Sequence, residues 1–119
     1  MALFIDTMFP GRHSIQFGDS TKTLPEYIAK NPKLLCDLIV VDGGHSFATA
    51  LSDITNSARV ANLDHNIIVL DDYPNIKLYS IGLAWEDSVT FRIVGELFRC
   101  FLRKSNRGFV VGTVIRHPN

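Results

Sequence analysis

The chain has 119 residues, the length of one domain, and its 12 basic and 12 acidic residues cancel to no formal net charge. That balance, with the basic residues spread along the chain, excludes a surface built for nucleic acid, which needs a broad positive footprint. No stretch approaches the roughly 20 apolar residues of a membrane span, the N-terminus lacks the basic flank of a signal peptide, and the two cysteines form no CxxC pair, so the expectation is a soluble, cytoplasmic protein with two buried free thiols.

Ala2 to Met8 reads as a short helix ending before the Pro10-Gly11 turn. His13 to Phe17 alternates, with Ile15 and Phe17 on one face, and predicts a short strand that Gly18-Asp19-Ser20 breaks. Thr23 and Glu26 are spaced as a capping box, with Pro25 in the first helical turn. Leu24, Tyr27 and Ile28 share a face, and Pro32 stops the helix at Asn31.

Leu38 to Val41 is an unbroken apolar run, which predicts a strand buried on both faces at the centre of a parallel sheet. It ends in Asp42, Gly43-Gly44 and His45. Ser46 then caps a helix in which Phe47, Ala50, Leu51, Ile54 and Ala58 keep a spacing of three and four. After a polar connection from Asn62 to Asn66, a second buried strand, Ile67 to Leu70, ends in Asp71 and Asp72.

Pro74 to Gly82 reads as a loop, and Leu83 to Val94 as a helix with Trp85, Val89 and Ile93 inward and Gly95 at its left-handed end. Leu97 to Arg103 and Phe109 to Arg116 read as hairpin strands joined by the KSNRG turn, with a continuous helix from Leu83 to Arg103 as the competing assignment. The basic stretch from Arg99 to Arg107 reads as a solvated hairpin. The pattern is βαβαβα followed by an antiparallel pair.

Two parallel strands deliver Asp42, Asp71 and Asp72 to one sheet edge, where open α/β sheets bind ligands. Adjacent strands lie about 4.8 Å apart, so these carboxylates either repel, share protons or hold a cation. A hard ion such as Mg²⁺ suits an all-oxygen set. The alternative is that the acids cap helices or meet Lys and Arg. His45, three residues past Asp42, is placed to act as a general base, or else serves as a helix-entry residue bonded to backbone. Gly43-Gly44 permits a sharp turn and close ligand approach but matches no phosphate-binding fingerprint. His13, His65 and His117 read as surface residues, and no serine has the context of a nucleophile.

The ordered set GDS (18–20), TLPEYI (23–28), CDLIVVDGGH (36–45) and IIVLDDY (67–73) resembles class I S-adenosylmethionine-dependent methyltransferases, in particular the small-molecule O-methyltransferases with a DGGH motif. The resemblance implies a Rossmann-like three-layer sandwich, mostly parallel with an antiparallel C-terminal hairpin. It implies S-adenosylmethionine as cofactor, Mg²⁺ as a candidate second one, and a small hydroxylated molecule as substrate. Carried over, Gly18, Asp19 and Ser20 lie beside the cofactor's adenine, and Asp42 lies near the transfer centre. Asp42, Asp71 and Asp72 hold the metal, and His45 helps deprotonate the acceptor. The family's first two strands and glycine-rich loop have no counterpart here, so the expected domain is incomplete at its N-terminal half. Its open strand edge then invites self-association. A catalytically inert interaction module is the alternative function. Phosphate transfer is disfavoured, because neither DGGH nor DDY places a second acid two residues past the first.

Overall fold

Among the residues that the computed structural model describes (2–74, 81–102, 104 and 107–119), four strands form one mixed sheet. Strands β1 (Leu38–Val41), β2 (Ile67–Asp71), β3 (Val94–Leu102) and β4 (Arg107–Val114) lie in the order β1-β2-β4-β3. β1 and β2 run parallel, and the other two pairings are antiparallel. Four helices accompany them: α1 (Ala2–Met8), α2 (Ser20–Lys30), α3 (Phe47–Ala58) and α4 (Ile81–Thr90). The class is α/β, as expected. The sheet is not mostly parallel, because the β3–β4 hairpin supplies half of its strands.

Strand alternation sorts the side chains. Ile39, Val41, Ile68, Leu70, Val110 and Val114 are buried on one face, where they meet Ala50, Ile54 and Ala58 of α3 and Ile81, Ala84 and Trp85 of α4. On the other face Leu38 and Val40 stay 65% and 60% exposed, and Phe98 55%. β1 is therefore an edge strand covered on one face, not a central strand buried on both. An apolar run marks what a strand is suited to bury, and here the described residues supply one helical layer. The third layer of the expected sandwich is absent among them.

Ser46 caps α3 as predicted, its hydroxyl accepting the Thr49 amide at 3.1 Å. α2 starts earlier than its capping-box spacing implied. Asp19 is the cap, accepting the Thr21 amide at 3.0 Å and the Thr21 hydroxyl at 2.7 Å. Those bonds hold the carboxyl below the usual carboxylate range. Thr23 instead donates its hydroxyl to the Asp19 carbonyl, and Pro25 falls inside the helix beyond the first turn. Residues 13–17 form no strand; Ile15 and Phe17 are exposed and pair with no sheet edge.

α4 ends at Thr90, and the left-handed residue after it is Arg92 (φ 57°), not Gly95. Gly95 lies in β3 opposite Thr113, so the continuous helix does not form. Trp85 is fully buried and donates its indole N–H to Glu96 at 2.9 Å. A Cβ on Gly112 would lie 2.8 Å from the Trp85 ring, so β4 needs glycine there to pass beneath it. Arg99, the start of the basic stretch, pairs with Glu96 at 2.6 Å and Glu86 at 3.4 Å, which neutralises it.

Both cysteines are free, but Cys36 is half-buried and Cys100 exposed, against the expectation of two buried thiols. Burial is the main influence raising the Cys36 thiol pKa. No described helix is long and apolar enough to cross a membrane. Much of the loop expected between Pro74 and Gly82 and of the KSNRG turn, with Arg103, lies outside the described residues.

Candidate functional site

The parallel register sets Val41 opposite Leu70, so the residues that follow, Asp42 and Asp71, leave the sheet side by side. Carboxylate oxygens of Asp42, Asp71 and Asp72 lie within 4.8 Å of one another. The convergence anticipated from the two acid-terminated runs is therefore present. Burial, then the charges of Asp71 and Asp72, raise the Asp42 carboxyl pKa, and His45 opposes them. The group resists ionisation beside its neighbours, as like charges brought close together do.

Asp72 takes a left-handed backbone conformation (φ 59°), which turns the chain sharply after β2. Tyr73 anchors that turn. It is 3% exposed, its amide donates to the Gly108 carbonyl at 3.1 Å, and its hydroxyl donates to Glu86 at 2.7 Å. The Arg99 guanidinium lies 5.1 Å from its ring centroid, a cation–π distance. Burial and the Glu86 bond push the phenol pKa up to about 12, so Tyr73 stays a neutral donor.

His45 joins the cluster through Asp72, with Nε2 2.9 Å from Oδ2. Its imidazole is 57% exposed and so open to a substrate. Gly43 and Gly44 make room for α3, not for a turn. A Cβ on Gly43 would lie 2.8 Å from an Asp53 oxygen, and one on Gly44 2.9 Å from the Thr49 methyl.

A cleft of about 270 Å³ runs along the outer side of β1, lined by Ser20, Leu24, Val40, Asp42, Asp53 and Ser57 among others. Of the 18–20 segment only Ser20 reaches this cleft. The Asp19 carboxylate is committed to its helix cap, and Gly18 (φ 126°) supplies the backbone bend before it. The other histidines are spread apart: His13 beside Asp6 at 3.4 Å, His65 beside Asp37 at 3.3 Å, and His117 against the Ala61 carbonyl at 2.8 Å. His13 is more enclosed than the surface position expected of it, with its side chain 20% exposed.

Asp53 was not anticipated. It is 6% exposed, and its Oδ1 is buried without a hydrogen-bond partner. The signal was an acid three residues after Ala50, on the inward stripe of α3. Burial raises its pKa above the ordinary 3.8, the Ser20 hydroxyl works against that, and Asp19 reinforces it. A raised carboxyl pKa means that the fold prefers the protonated form. Its contribution to stability is thus greatest in acid, falls as pH rises through 3.8 toward the raised value, and stays reduced above it. Asp53→Asn keeps the shape without the charge. It should melt a few degrees higher than the wild type at pH 7, roughly the shift of 1 kcal/mol or less. Thermal melts across pH should show that advantage shrinking toward pH 4; an advantage that grows in acid would reverse the assignment.

No protein-family model, curated protein or solved structure matches this chain.

Proposed function

We propose that Asp42, Asp71 and Asp72 hold a divalent cation, and that the domain takes part in S-adenosylmethionine-dependent methyl transfer to the hydroxyl of a small acceptor. The observation that carries the cation is the convergence of three carboxylates within 4.8 Å at the carboxyl ends of two parallel strands. The donor set is all oxygen, which suits Mg²⁺. The methyl-transfer part rests on the resemblance of the GDS, DGGH and DDY segments in their order along the chain. The Rossmann-like assignment has the same basis, supported by the parallel β1–α3–β2 unit.

A cation at this site would supply a Lewis acid for an acceptor oxygen, and the cofactor a sulfonium methyl group. The chain's own residues do the rest. His45 takes the acceptor proton at a ring nitrogen, oriented by the 2.9 Å contact to Asp72. Tyr73 locks the turn that aims Asp71 and Asp72. Ser20 and Asp53 offer polar groups to the cofactor's adenine, along the apolar wall of Leu24.

Calorimetric titration with Mg²⁺, then with S-adenosylhomocysteine in its presence, tests both parts. Saturable heat from both is expected. Silence from the cation removes the metal centre, and silence from S-adenosylhomocysteine at millimolar concentration removes methyl transfer by this chain. A second reading, an inert interaction module, is favoured by the position of β1 at the sheet edge with no outer neighbour among the described residues.

A further inference from the structure

The sheet face opposite the helices is apolar across all four strands. Leu38 and Val40 on β1, Ile67 on β2, Phe109 and Val111 on β4, and Phe98 on β3 share it by register. Five of these are 36–65% exposed, and Val111 is recessed among them at 7%. Charge in register on this face is confined to its ends, at Asp71 and Arg107. Monomeric proteins rarely leave apolar patches of more than a few hundred Å² in water.

We propose that a second copy of this chain covers this face, so that two sheets pack face to face around a two-fold axis. The area favours this occupant. With large side chains at roughly 150–250 Å² each, the exposed fractions leave about 500 Å² of apolar surface per copy. Interfaces are about 60% apolar, so with a polar rim two copies bury ~1,600 Å², the size of a specific, stable interface. The shape agrees. Side chains of one sheet interdigitate with those of another about 10 Å away at a small crossing angle. Here Leu38, Val40 and Phe98 stand proud on the outer strands, while Val111 lies recessed on an inner one. The packing needs no new strand pairing, which separates it from association through the β1 edge.

Sedimentation equilibrium of the full chain from about 1 to 200 µM tests it. The wild type should be a dimer, with a melting temperature that rises with protein concentration. Phe98→Glu and, separately, Phe109→Glu lie away from β1 and leave its edge untouched. Each should weaken dimerisation at least about 100-fold with an unchanged far-ultraviolet spectrum. A monomeric wild type, assembly without limit, or a dimer that survives both substitutions overturns the proposal; the last would place the contact elsewhere, at the β1 edge first.

Discussion

Trp85→Ala is expected to leave the chain largely unfolded at 37 °C. The indole is fully buried, fills the space above Gly112 and donates to Glu96. Truncating such a side chain costs about 3–5 kcal/mol, because contacts are lost and the cavity collapses only in part. The whole stability of a domain is about 5–15 kcal/mol, and a single-layered sheet belongs near the bottom of that range. Thermal denaturation followed by circular dichroism should show a melting temperature lower by roughly 10–25 °C. Leu83→Ala, two residues away on the exposed side of α4, should move it little. Similar losses at both positions would mean that α4 does not pack as described.

The second large effect concerns the acids, and its two halves have opposite signs. Asp71→Asn combined with Asp42→Asn removes two of three converging carboxylates. Without cation, the variant should be more stable than the wild type, since like charges no longer crowd the edge. With Mg²⁺ at about 100-fold over its dissociation constant, the wild type should gain about 2.7 kcal/mol by mass action, and the variant almost none. Cation affinity should fall at least tenfold in calorimetry. Thermal melts with and without Mg²⁺ separate the possibilities: stabilisation of the variant with no cation response in either protein would leave the cluster a strained loop edge and nothing more.

Much of this site was legible before any coordinates, for a local reason. Asp42 and the Asp71-Asp72 pair each follow directly on an apolar run, and parallel pairing of such runs brings their ends together whatever surrounds them. Ser46 was legible in the same way, because a cap acts within three residues. The surroundings of β1 were not. Leu38 and Val40 carry the composition of a two-sided strand, and whether a second layer exists depends on residues far away in the chain. Asp19 beat Thr23 as the cap of α2 because a carboxylate four residues earlier could take both an amide and a hydroxyl from Thr21. Gly95 misled for the converse reason: glycine permits a left-handed turn, but Arg92 adopted one first. Asp53 was hidden by its neighbours, since one acid on an apolar helical stripe reads as an interruption until the opposing loop is seen.

The strand order carries a consequence for assembly. β3 and β4 are neighbours in both sequence and space, whereas β2 meets β4 only by joining distant segments such as Ile68 and Gly112. Closing the short loop costs little entropy and closing the long one more, so the hairpin is expected to nucleate and the β1–α3–β2 unit to dock late. In stopped-flow experiments Val69→Ala should then hasten unfolding while leaving the folding rate nearly untouched. The acidic edge would take its final form only in the last step of folding, together with the core that Ile39, Val41, Ile68 and Leu70 share with Val110 and Val114.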